Sequence, residues 1–94
     1  MDIIALALPL VKARLNRLAG DTTLDGYLES RLRGVQQEME RTGIVLNAES
    51  PDDLMLLVDL TVWEYGNRDK AAGVPDWLRL RRRERWLHRE EGTP

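Results

Sequence analysis

The chain has 94 residues, of which 43% are hydrophobic and 32% charged, with a net charge of −2 at pH 7. This length predicts one domain with a marginal core that association would stabilise. The composition excludes a disordered or strongly basic protein, and the absence of cysteine excludes disulfides and thiolate metal sites. Six of the 14 basic residues lie in residues 75–94, so the cationic excess is in the tail.

The N-terminal half predicts two helices. The opening MDIIALALPL is too short to span a membrane and lacks the positive start of a signal peptide, so we expect a buried segment and a cytosolic protein. Pro9 predicts the start of a first helix at about 9–18, with Lys12 turned outwards, Leu18 on its apolar stripe and Gly20 at its end.

The second predicted helix covers about 23–42. Thr22 and Asp25 have the spacing of a capping box at its start. Gly43 is expected to close it in a left-handed conformation.

A third helix is predicted at about 51–67, with Ser50 as its N-cap and Pro51 at its first position. It is apolar on nearly all sides, which is typical of a helix buried on nearly all sides. Asp59 is the exception, because a lone carboxylate is costly in a core unless it is paired. A subunit interface would supply an arginine for it; alternatively, Asp59 faces water beside a partly exposed Trp63.

The fourth helix is predicted at about 75–91, after a tether at 66–74. Together these elements predict an all-α fold: a small four-helix bundle with a tethered, Arg/Trp-rich C-terminal helix. Its arginines at 79–89 have three interpretations, namely a solvated face, a nucleic-acid contact, or a surface that docks on an acidic protein.

Catalytic chemistry is not indicated. His88 is the only histidine and has no nucleophile nearby in the sequence, while Asp52 and Asp53 are explained as residues of a helix start. The glycines do not fit a nucleotide-binding loop. We therefore expect a non-enzymatic protein without a cofactor or a metal.

The order of these motifs resembles the head–tail connector family of tailed bacteriophages, also called head-completion or adaptor proteins. The resemblance covers about residues 9–80. It begins with VKARLNRLAGDTTLDGYLESRLRGVQQEMERTG, continues with the apolar helix from Leu54 to Tyr65 and the pair Asn67-Arg68, and ends with Pro75 and Leu78. Gly34 and the Arg/Trp-rich last helix depart from the family pattern.

The resemblance implies a structural subunit of the virion neck, made in the host cytoplasm. Such subunits form a ring under the portal, usually twelvefold on the virion, complete the DNA-filled head after packaging and dock the tail or a stopper protein. DNA would pass through the channel without specific binding, and no membrane would be involved. The predicted ring contacts are Met55, Leu56, Asp59, Val62 and Trp63, and the predicted portal contacts are Arg81, Arg82, Arg85 and Trp86.

Two other functions remain open at this point. One is a small helical DNA-binding regulator that uses the basic helix at 79–89, whose affinity for duplex DNA would fall steeply with salt. The other is a bacterial helical protein-interaction module, which would form a stable dimer or heterodimer without affinity for a portal.

Overall fold

The computed structural model describes residues 2–67 and 73–88. These residues form four helices and no strand, which confirms the all-α prediction: α1 (Ile3–Arg14), α2 (Asp25–Arg41), α3 (Pro51–Gly66) and α4 (Asp76–Leu87). Residues 68–72 of the predicted tether lie outside the described residues. So does the predicted continuation of the last helix from residue 89 to 91.

Helix α3 is the centre of the fold, because α1, α2 and α4 all pack against it. Leu57, Val58 and Thr61 are fully buried, and the Thr61 hydroxyl donates to the Leu57 carbonyl at 2.8 Å, so its polar group is satisfied. The expectation that this helix is buried on nearly all sides is met only in part, because Met55 is 38% exposed and Val62 and Trp63 are partly buried. Much of its apolar surface is covered by the chain's own helices.

The start of α3 follows the predicted cap. The Ser50 hydroxyl accepts from the Asp53 amide at 3.3 Å, and Pro51 is the first helical residue. The end of α2 also follows the prediction, since Gly43 has φ of 98°, a left-handed conformation that favours glycine.

Helix α1 begins six residues earlier than predicted. The Asp2 carboxylate caps it by accepting from the Ile4 amide at 3.0 Å, and Pro9 lies inside the helix. An internal proline costs about 3 kcal/mol. Burial of Ile3 and Ile4 offsets this cost, because each fully buried side chain contributes about 1.5–3 kcal/mol.

The end of α1 is also corrected. The helix stops at Arg14, and Asn16 adopts a left-handed φ of 59°, so the chain turns well before Gly20. Leu18 then lies outside the helix and is 79% exposed, rather than on its apolar stripe.

Lys12 is buried, not turned outwards. Its ammonium donates to the Ala19 carbonyl at 3.0 Å and pairs with the Asp25 carboxylate at 3.0 Å. Asp25 is therefore a partner of Lys12, and the predicted capping box with Thr22 is wrong, because α2 begins after Leu24 with no side-chain cap. The lysine connects α1 to the start of α2.

Candidate protein-interaction surface

Helix α4 is attached to the core by one apolar residue and two ion pairs. Leu78 is its only buried residue among those described. Arg85 pairs with Asp53, and Arg81 pairs with Asp59. The later arginine binds the earlier aspartate, so α3 and α4 run antiparallel.

The Asp53–Arg85 pair is buried and geometrically complete. Arg85 donates from Nε to Asp53 Oδ1 at 2.6 Å and from Nη2 to Oδ2 at 3.2 Å. The Asn47 amide donates to Oδ2 at 2.8 Å, and Arg85 Nη2 also donates to the Val45 carbonyl at 2.8 Å. Asp53 is 4% exposed, so its role extends beyond the helix start that the sequence indicated. A bidentate pair of this kind is the strong form of a charged hydrogen bond.

Asp59 is bound by two arginines of its own chain. Arg14 of α1 donates to one carboxylate oxygen and Arg81 of α4 to the other. Neither expectation for Asp59 matches this arrangement: the arginines are intramolecular, and the carboxylate does not simply face water. The need for an arginine from another subunit is therefore removed.

The pKa of Asp59 reflects two opposing effects. Burial favours the neutral acid and would raise the pKa, but the hydrogen bonds from Arg81 and Arg14, together with their positive charges, hold it below its ordinary value of 3.8. A lowered pKa means that the ionised form stabilises the fold above that ordinary value. This contribution is lost as the pH falls through the lower, folded-state pKa.

We expect Asp59→Asn to lower the free energy of unfolding by about 1 kcal/mol at neutral pH, because both arginines are partly exposed and solvent screens them. The difference between variant and wild type should shrink as the pH falls below about 4. Urea unfolding of both proteins at several pH values measures this. A difference that stays constant down to pH of about 2 would contradict the assignment.

Trp86 is held against the end of α2, where its indole Nε1 donates to the Thr42 carbonyl at 2.9 Å. Of the predicted portal contacts, Arg81, Arg85 and Trp86 thus all bind groups of their own chain. Arg82 differs, since within the described part of the chain it has no ion pair or hydrogen bond. Of these three residues Arg85 is mostly buried, at 12% exposure, whereas Arg81 and Trp86 are each 38% exposed and keep surface for a partner.

The outward side of α4 combines exposed apolar residues with exposed charged ones, among them Asp76 and Glu84. Leu80 and Leu87, seven positions apart, lie on the side of the helix opposite Leu78 and are 61% and 55% exposed. Trp77 is 54% exposed at one flank of this side, with the Arg81 guanidinium 5.8 Å from its ring centroid. We call Trp77, Leu80 and Leu87 the outer face of α4. Sequence reasoning did not single out these residues, because it took the arginines to be the exposed ones.

The predicted ring contacts on α3 separate into two groups. Leu56 is 3% exposed and belongs to the core, so its assignment to a subunit contact is corrected. Met55 is 38% exposed, and Val62 and Trp63 are partly buried against the core. Only Met55, Val62 and Trp63 keep surface for a neighbouring subunit.

Beside α4 lies a groove of about 370 Å³ between α2, α3 and α4. Its apolar part includes the buried residues Met39, Ile44 and Leu60, and Trp63 and Trp86 also line it. Two acids line it too, namely Glu38 of α2 and Glu64 of α3, the latter paired with Arg31, as do three arginines of α4, namely Arg79, Arg82 and Arg83.

A second depression brings together Ser50, Asp53 and His88. Ser50 caps α3, both Asp53 oxygens accept hydrogen bonds from Arg85, and His88 pairs with Glu84 at 3.2 Å. Asp53 is thus held in an ion pair with Arg85 in this depression. Among the described residues, no group of three His, Cys, Asp or Glu side chains could hold a metal ion.

No helix within residues 2–67 and 73–88 is long and apolar enough to cross a membrane. Comparisons with models of protein families, with curated proteins and with solved structures find no match to this chain.

Proposed function

We propose that this chain is a structural subunit of the neck of a tailed bacteriophage. It assembles as a ring under the portal, completes the DNA-filled head and provides the docking surface for the tail. The observation that carries a role in assembly is the outer face of α4, because a helix that leaves Trp77, Leu80 and Leu87 exposed needs a protein partner to bury them.

The kind of assembly comes from the resemblance to head–tail connectors, whose motifs fall on the helices of this fold. The pair Val11 and Lys12 lies on α1 with both side chains buried. The apolar family helix ending at Tyr65 corresponds to α3, and Pro75 is the N-cap of α4. These features support the proposal but do not select the phage.

Partner contacts are assigned differently from the sequence-based prediction. The outer face of α4 binds the portal or tail component, while Arg81, Arg85 and Trp86 hold α4 in place and Arg82 lines the groove beside the helix. Met55, Val62 and Trp63 are the remaining candidates for contacts between neighbouring subunits.

The structure reduces the basic charge that α4 could offer to DNA, so it gives less support to the DNA-binding alternative. Arg81 pairs with Asp59, a carboxylate that it shares with Arg14, Arg85 pairs with Asp53, and Arg79 pairs with Asp76 at 2.7 Å. DNA affinity depends on arginines and lysines that are free to neutralise phosphates. Among the described arginines of α4, only Arg82 and Arg83 have no ion pair, which is a small footprint for binding phosphates.

Co-sedimentation tests the proposal. The purified chain is mixed with DNA-filled, portal-bearing heads of the phage that encodes it, and with duplex DNA alone at low and moderate salt. We expect the chain to sediment with the heads and to leave the DNA unbound. Binding to DNA that falls steeply with salt, without binding to heads, would contradict the proposal.

A further inference from the structure

The groove between α2, α3 and α4 combines an apolar floor with arginine side chains of α4. Met39 and Leu60 are buried there, and Trp63 and Trp86 add aromatic surface. Exposed Arg83 and Glu38 also line it, so it is open to solvent along α4. Pockets that bind small molecules span roughly 300–1,000 Å³, and this groove, about 370 Å³, lies near the lower limit. It has room for anchor side chains rather than for a large cofactor.

The charges of the groove are asymmetric. Arg82 and Arg83 have no ion pair or hydrogen bond within the described part of the chain, although Arg81 and Arg85 on the same helix are both paired. Glu38 on α2 also has no ion pair or hydrogen bond within the described part of the chain. The arginines of α4 therefore attract negative groups of an occupant. Glu38 repels such groups from the α2 side of the groove.

We propose that this groove binds an acidic segment of a partner protein, with one large apolar side chain of that segment inserted between Trp63 and Trp86. Carboxylates of the segment pair with Arg82 and Arg83, because guanidinium groups bind carboxylates in a bidentate geometry. The aromatic walls take up the anchor, as hot-spot pockets of protein interfaces do. The site is distinct from the outer face of α4 and does not depend on the proposed neck function.

The probe is a library of random peptides displayed on filamentous phage and selected on the immobilised full-length chain. We expect the enriched peptides to be rich in aspartate and glutamate and to share one leucine or aromatic residue. The most enriched peptide is then synthesised and titrated. A Trp77→Phe background leaves Trp63 and Trp86 as the only tryptophans, so binding in the groove changes their fluorescence.

Two single substitutions, each removing one positive charge, test the site. Arg82→Gln is expected to lower the affinity for the peptide by about tenfold, because it removes a charge-assisted hydrogen bond. Arg33→Gln removes the same charge from an exposed position of α2 outside the groove and should leave the affinity unchanged. Glu38→Gln should tighten binding, since it removes the repulsion.

Several results would overturn the proposal. These are no enrichment over a surface without the chain, enrichment of basic or uncharged peptides, or equal weakening by Arg82→Gln and Arg33→Gln. Sedimentation velocity and native mass spectrometry test the other occupants. If the wild type self-associates and Arg82→Gln abolishes that association, the groove binds a second copy of the chain. A small molecule retained through purification by the wild type but not by Arg82→Gln would assign it to that ligand.

Discussion

Arg85→Met should destabilise the fold by about 3–5 kcal/mol, the cost of leaving a buried charge without its partner. Asp53 would retain only the Asn47 amide in a site that solvent hardly reaches. Domains of this size have a free energy of unfolding of about 5–15 kcal/mol, so this is a large fraction of the total. Methionine preserves much of the aliphatic stem, so the loss reports the ion pair rather than the packing.

Urea unfolding followed by circular dichroism measures this effect. Arg83→Met is the matched control, because Arg83 is on the same helix, exposed, and without a partner among the described residues. Its effect should stay within about 0.5 kcal/mol. The double variant Asp53→Leu/Arg85→Met removes both charges and should recover most of the stability. Equal effects of Arg85→Met and Arg83→Met would show that the pair does not hold α4.

The double variant Leu80→Glu/Leu87→Glu is expected to keep the fold and lose more than about 100-fold in affinity for portal-bearing heads. Both side chains are exposed on the outer face of α4, so the free chain tolerates the change. Burying a leucine is worth about 1.5–3 kcal/mol. Losing two buried leucines and adding two charges to the interface therefore costs more than the roughly 2.8 kcal/mol that corresponds to a 100-fold change in affinity.

Leu18→Glu is the control for this variant. Leu18 is the most exposed large apolar side chain within residues 2–67 and 73–88, and it lies outside α4. Its replacement should not change co-sedimentation with heads, while unfolding curves should show that all variants are folded. Unchanged binding of the Leu80→Glu/Leu87→Glu variant would exclude the outer face of α4 as the partner surface.

Local chemistry explains which elements could be predicted from the sequence. Ser50 and Pro51 define the start of α3 by themselves, because a cap needs only neighbouring residues. Gly43 does the same for the end of α2. Pro9 predicts a helix start by its own chemistry, whereas the limits of α1 are set by the cap at Asp2 and by the left-handed Asn16.

Long-range pairing explains what could not be predicted. The sequence indicated that Asp59 needs a cation, but its partners Arg14 and Arg81 are 45 and 22 positions away. Arginines are usually at the surface, so those of α4 were assigned to a partner. One partial signal was available: two of the four acids of α3 and two of the five arginines of α4 match in antiparallel order. If Arg81 and Arg85 face α3, then Leu80 and Leu87 lie on the opposite, outward side of the last helix.

Cryo-electron microscopy of the portal vertex tests the central claim most directly. DNA-filled heads of the parent phage that lack this chain are imaged after incubation with an excess of it. The neck assignment predicts a closed ring of added density under the portal, with the outer face of α4 buried against a protein neighbour. Bare vertices at saturating chain would contradict the assignment.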